Sequence, residues 1–219
     1  MFIWHFNNII MEEILMVERA VLKRNSKDQL RGKWGLAIAA FIISAIIPSI
    51  ISIIGSVTES DAITTIGMII AVIVAGPISY GLCTFILNII RGKDASIYDI
   101  FAGFNGKIFV KALIIMILTT IAVGIGYIIL IVPGIILSIM FAQSYFILAD
   151  NNDLSAIDCI KASCEMMKGN KMYFFILMLS FIGWFILGEI TCGIGLLWVM
   201  PYYNITIGNF YDELSNKVS

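Results

Sequence analysis

Between Lys111 and Asp150 the chain carries no charged side chain. One membrane-spanning helix needs about 20 apolar residues to cross about 30 Å of hydrocarbon. The uncharged stretch is roughly twice that length, so it crosses, turns and returns. A hairpin of this kind has no place on the wet surface of a soluble domain. The rest of the chain agrees with it: 60% of the 219 residues are hydrophobic and only 13% are charged. Soluble domains carry about 25% charged residues. A formal charge of -1 with four cysteines also excludes a nucleic-acid binder and a disulfide scaffold. What remains is a polytopic membrane protein with the lipid bilayer as its first partner.

The apolar runs predict an all-α fold with six spans near 34–55, 62–90, 107–124, 127–149, 172–191 and 195–211. The turn inside the uncharged hairpin is expected at Gly124-Ile125-Gly126, where glycine relaxes the backbone limits. The same tripeptide at Gly193–Gly195 is expected to turn the chain between spans five and six. All 14 Lys and Arg fall in the N-terminal segment, the 91–111 and 161–171 loops, or the C-terminal tail. The opposite loops carry only Glu59, Asp61 and Glu189. Under the positive-inside rule both termini are cytoplasmic in the cell membrane, with three hairpins projecting outward. Trp34, Tyr98, Tyr173 and Tyr211 lie near the cytoplasmic boundaries, as interfacial aromatics do.

A threefold pattern accompanies the hairpins. Each is preceded by a polar stretch ending in Gly32-Lys33, Gly106-Lys107 or Gly169-Asn170-Lys171. In the third, Leu154, Ile157, Ile160, Cys164 and Met167 form an apolar stripe opposite Asp158, Lys161, Glu165 and Lys168, with Asp153 as N-cap and Gly169 as stop. In the second, Ser96 and Asp99 have capping-box spacing, and Ile97, Ile100, Phe101 and Phe104 share a face. The first, 17–31, is only weakly amphipathic. These segments are expected to lie flat in the cytoplasmic interface. Each returning helix also holds a proline, Pro77, Pro133 or Pro201, which is expected to kink it.

Residues 1–15 stand apart. Met11-Glu12-Glu13 can be encoded by a purine-rich ribosome-binding sequence, two codons before Met16. Met1–Leu15 therefore reads as a non-native extension, ahead of a single membrane domain over 16–214 and a cytoplasmic tail over 215–219. The cysteines (Cys83, Cys159, Cys164, Cys192) form no C-x-x-C pair and read as reduced, space-filling thiols.

Chemistry is scarce in the spans. They hold no histidine, no H-E-x-x-H, no G-x-S-x-G and no paired carboxylate, so no catalytic, cofactor or metal site is expected. Glu189 is the one titratable candidate for ion coupling, and it lies about one turn from the outer end of span five. Lys111 is expected to snorkel to the cytoplasm. The buried polar groups are amides and hydroxyls. Gln143, Asn204, Tyr203 and Asn88 are the candidates for a polar cleft; interhelical hydrogen bonding is the plainer reading of the same groups. Trp184 and Trp198 flank the outer turn and are expected to pack at one level.

The C-terminal half carries Ser144-Tyr145-Phe146-Ile147-Leu148-Ala149-Asp150-Asn151, Met167-Lys168-Gly169, Phe181-Ile182-Gly183-Trp184 and Gly193-Ile194-Gly195-Leu196-Leu197-Trp198. These motifs, with Gln29-Leu30-Arg31-Gly32-Lys33-Trp34-Gly35 near the start, closely resemble the bacterial integral-membrane family known as domain of unknown function 975. Through Val132-Pro133-Gly134-Ile135 the chain is similar, more distantly, to the membrane domain of glycerophosphodiester phosphodiesterases. The resemblance implies a bacterial membrane protein with no known substrate and no catalytic residues. The expected function is a non-enzymatic accessory or envelope-associated component, with a membrane-protein partner or a homo-oligomer. The alternative is an uncoupled transport or export component for an apolar or amphiphilic solute.

Overall fold

The computed structural model describes residues 19–57 and 61–218, and every regular element among them is helical. Residues 1–15 and Met16 lie outside the described residues. In chain order the helices are α1 (Arg19–Leu30), α2 (Trp34–Val57), α3 (Asp61–Ile90), a 3-10 helix (Ile97–Phe104), α4 (Gly106–Ile129), α5 (Ile131–Phe141), α6 (Ser144–Asp150), α7 (Ala156–Met166), α8 (Lys171–Leu179), α9 (Ile182–Ile190) and α10 (Leu196–Val218). Among the described residues four stretches are long and apolar enough to cross a membrane: Thr64–Ile90, Gly106–Ile129, Ile131–Asp150 and Lys171–Ile190. A fifth appears if α1 and the start of α2, bent by 98°, count as one span. α10 is not among them, because Asn204, Thr206, Asn209 and Asp212 dilute its apolar character.

Neighbouring helices pair in sequence: α2 on α3, α4 on α5, and α9 on α10. α3 is the hub, touching α2, the 3-10 helix, α4, α6 and α10. The packing is concentrated where the basic residues lie. There Leu30, Phe85, Ile86, Ile89, Ile100, Leu148, Ile205 and Phe210 are fully enclosed. Away from that end the helices show their side chains outward, as at Ile128 (85% exposed) and Ile190 (72% exposed). Lipid tails are as apolar as leucine, so little drives such faces together.

The expected turn at Gly124–Gly126 does not form. α4 runs through both glycines, and the chain reverses at Leu130, which is extended (φ -163°, ψ 154°). Glycine serves close approach here, because a Cβ on Gly126 would meet Gly134 of α5 at 3.0 Å. Pro133 accordingly falls in the first turn of α5, where a missing N–H costs no helical bond, and does not kink a helix interior. Pro77 and Pro201 do lie inside α3 and α10, and Pro48 inside α2 is a further one. The second Gly-Ile-Gly is a turn. Cys192 (φ 54°) and Gly193 (φ 83°) are left-handed, and Thr191 Oγ1 accepts from the Gly195 amide at 2.8 Å.

Two of the polar stretches are defined by what they pack against. The 3-10 helix begins at the Ser96–Asp99 capping box as foreseen and runs lengthwise along α3. Asn88 meets Asp99, Gly81 backs onto the Ile100 carbonyl, and Gly103 backs onto Pro77. Two glycines let backbone touch backbone. In α7 the N-cap is Ser155, whose Oγ accepts from the Asp158 amide at 3.2 Å, so the helix starts later than an Asp153 cap would place it. The fully buried stripe is Ala156, Cys159, Ser163 and Met167; Leu154 and Ile160 pack beside it as expected, whereas Ile157 is left 53% exposed. Gly169 (φ 81°) stops the segment, as the sequence suggested.

Replacing Gly81 or Gly103 by Ala is expected to pull the 3-10 helix off α3. Thermal unfolding in detergent will show a loss of about 2 kcal/mol or more, in the range of overpacked sites. Gly124→Ala meets nothing within 4 Å and is expected to be neutral or stabilising by up to about 1 kcal/mol. A large loss at Gly124 would restore the turn to that position.

Candidate functional site

α3, α5, α6, α8 and α10 surround a cavity of about 300 Å³. Its polar lining is Ser79 of α3, Ser138 of α5, and Tyr203 and Asn204 of α10; Leu82, Ile86, Phe146 and Phe174 supply apolar walls. The polar donors are turned back on their own helices. Ser79 Oγ donates to the Ala75 carbonyl at 2.8 Å, Ser138 Oγ to Gly134 at 2.9 Å, and Asn204 Nδ2 to Met200 at 3.0 Å. Such i−4 bonds satisfy a hydroxyl or amide in a low-dielectric setting without a partner helix. Tyr203 stands edge-on to Phe181 (5.3 Å) and Phe185 (5.4 Å), which fixes its ring at the cavity wall.

Tyr203 and Asn204 are therefore brought together, while the other two cleft candidates lie elsewhere. Asn88 donates from Nδ2 to Asp99 Oδ2 at 3.0 Å, anchoring the 3-10 helix. Gln143 is fully buried at the α5–α6 break, and neither its Nε2 nor its Oε1 has a hydrogen-bond partner. Its backbone amide donates to Ser163 Oγ (3.2 Å), which in turn donates to the Met140 carbonyl at 2.7 Å, so α7 caps the break. Glu189 is exposed on α9. Lys111 reaches the α6–α7 loop, where Nζ donates to the Asn152 carbonyl at 2.6 Å. Among the described residues no group of three or more potential metal ligands comes together.

The most connected polar cluster was not foreseen. Arg91, just past the end of α3, donates from Nη1 and Nη2 to the two Asp150 oxygens at the end of α6, the latter at 2.9 Å. Its Nε donates to Asp212 Oδ1 of α10, also at 2.9 Å. Tyr211 completes the cluster, its hydroxyl donating to Asp150 Oδ2 at 2.8 Å. Tyr211 is thus a buried core residue (3% exposed), not an interfacial belt residue. The hydrogen bonds to Asp150 hold the Arg91 guanidinium above its ordinary value against the opposing effect of partial burial, and Asp212 adds to them. The clasp keeps its cation at any working pH. A second cluster binds α1 to α10. Asn209 Nδ2 donates to Gln29 Oε1 at 2.7 Å and to Ser26 Oγ at 3.0 Å, and Thr206 Oγ1 donates to Ser26 Oγ at 3.0 Å.

A hint of the clasp stood in the sequence. Asp150 and Asp212 both end apolar runs, Arg91 ends a third, and acids and bases at one depth pair when the bundle closes. At 27–28% side-chain exposure the clasp lies between surface and buried ion pairs. Asp150→Asn is expected to cost about 1–3 kcal/mol and Tyr211→Phe about 1 kcal/mol, read as the thermal midpoint of the detergent-solubilised protein. Equal midpoints for Asp150→Asn and wild type would show that the clasp contributes nothing.

Comparison with known proteins places this architecture. A curated relative, a UPF0259 membrane protein of Sodalis glossinidius (strain morsitans), is 31% identical over 111 residues, which are 51% of this chain and 42% of that relative. The chain thus matches less than half the length of the relative. No solved structure matches. These matches support a multi-pass membrane protein and give no support to the glycerophosphodiester phosphodiesterase likeness. The model of the family described as "Protein of unknown function (DUF975)" matches residues 16–141 and 127–218, and the chain belongs to that family.

Proposed function

We propose that this protein is a non-enzymatic accessory component of a bacterial cell membrane. It crosses six times, through α2, α3, α4, α5–α6, α8–α9 and α10, with both termini in the cytoplasm. The observation that carries the accessory role is where the polar side chains go. Asn88 serves the 3-10 helix, Gln143 is enclosed under α7, and the donors of Ser79, Ser138 and Asn204 bond to their own helices. A solute pathway needs such groups free and aligned along one channel. Asn88 ties the 3-10 helix to α3, the other donors are spent within their own helices, Gln143 is shut away from any opening, and the apolar faces left outside suit lipid or a membrane-protein partner.

The transport reading keeps one foothold, the cavity beside Tyr203 and Asn204. The paired substitution Gln143→Leu with Asn204→Leu separates the two. The accessory reading expects the deletion phenotype to be rescued as well by the double variant as by wild type. Lost rescue with normal protein levels would favour a pathway.

Orientation has its own test in the thiols. Cys192 is exposed at the α9–α10 turn, whereas Cys159 is fully buried in α7. Burial pushes the Cys159 thiol up to about 11, so its reactive thiolate is scarce near neutrality and gains only at alkaline pH. With Cys83, Cys159 and Cys164 replaced by Ala, an impermeant maleimide is expected to label Cys192 in intact cells stripped of any outer barrier. Labelling only after the membrane is opened would invert the topology.

A further inference from the structure

A second cavity, also about 300 Å³, lies on the far side of α10 from the first. It is walled by α9 and the start of α10 and closed at one end by the α1–α2 corner. Lys27 and Trp34 come from the corner, Trp184 and Leu187 from α9, and Trp198 and Tyr202 from α10. From Trp184 to the turn at Thr191 the wall follows α9, a groove roughly 10 Å long. Its side chains face outward: Leu187 is 57% exposed, Trp198 49% and Trp184 44%.

The two ends of this groove differ in chemistry. Toward the turn its one polar residue is Thr191, whose hydroxyl is taken up by the Gly188 carbonyl and the Gly195 amide. At the corner, Lys27 Nζ sits over the Trp184 ring at 5.7 Å and the Tyr202 ring at 5.3 Å. Among the described residues Lys27 makes no ion pair, and Asp28 beside it faces Arg31 at 3.9 Å. The next cation, Lys23, is taken up by the Ser180 carbonyl (3.0 Å) and the Phe181 ring (4.3 Å). Residues 19–33 carry six basic side chains against the single acid Asp28. A site with a cation at one end and an aromatic, apolar trough leading away from it matches one kind of bilayer molecule.

We infer that this groove binds an anionic phospholipid, its phosphate on Lys27 and one acyl chain along Trp184, Leu187 and Trp198. The cation–π contacts hold Lys27 at the mouth without neutralising it, since an aromatic face carries no net charge. The phosphate then supplies the counter-charge that Lys27 lacks among the described residues. The groove takes the headgroup-proximal part of one acyl chain, and tryptophan is suited to a place where a headgroup meets a tail.

The test uses the full chain with Trp4→Phe, reconstituted in phosphatidylcholine vesicles containing acyl-brominated lipid at equal mole fraction. Bromine quenches tryptophan on contact. Brominated phosphatidylglycerol is expected to quench with about fivefold higher apparent affinity than brominated phosphatidylcholine, the preference one lysine supplies near a surface. Lys27→Gln is expected to abolish that preference while leaving phosphatidylcholine quenching intact, and Arg24→Gln to preserve it. Inorganic phosphate is expected to change nothing, since it brings no chain for the groove. Equal quenching by the two lipids would overturn the proposal. So would an equal loss in the Arg24 variant, which would signify diffuse surface attraction, or competition by inorganic phosphate.

Discussion

Lipid removes the force that holds most folds together. An apolar helix gains almost nothing by leaving hydrocarbon for another apolar helix, so cohesion must come from close backbone approach and polar contacts. This protein concentrates its polar contacts at the end where its basic residues lie. Arg91 draws the ends of α3, α6 and α10 onto one guanidinium. The Ser26–Gln29–Thr206–Asn209 cluster fastens α1 to α10 beside it. Glycines do the complementary work, with Gly81 and Gly103 seating the 3-10 helix against α3 and Gly126 meeting Gly134 at the α4–α5 tip. Away from the clasp the helices present Ile128, Ile190 and Trp198 outward, where a bilayer or a partner covers them.

The same division bears on function. Polar side chains inside a membrane are expensive, and each is expected either to hold structure or to serve a solute. In this bundle most are engaged: Asn88 with Asp99, Asn204 with Met200, Ser163 with Met140. Gln143 and Ser144 are the exceptions, buried side by side with unpartnered polar atoms at the break between α5 and α6. A break exposes backbone groups that nearby polar residues or water can satisfy, and α7 covers this one.

Much of this was legible in the chain. The helical runs follow from apolar length, and the Ser96–Asp99 box and the Gly169 stop were visible in residue type and spacing. What escaped was anything decided by distant partners. The two Gly-Ile-Gly tripeptides are identical in sequence, yet one continues a helix and the other turns. Thr191 and Cys192 precede the second, and Thr191 Oγ1 can pin the Gly195 amide; Ala122 and Val123 precede the first and offer no such acceptor. The α7 face that is fully buried is the one whose Ser163 meets the α5–α6 break, a partner some twenty residues away in the chain. Tyr203 and Asn204 do share a cavity, whereas Asn88 and Gln143 were drawn away by Asp99 and by α7, contacts that no local pattern encodes.

Whether one clasp holds three separate parts of the chain together is best measured by hydrogen exchange in lipid nanodiscs, comparing Asp150→Asn with wild type. The account predicts that peptides covering the ends of α3, α6 and α10 lose protection together, because all three meet at Arg91. A loss confined to α6, with 85–91 and 205–214 as protected as before, would contradict it.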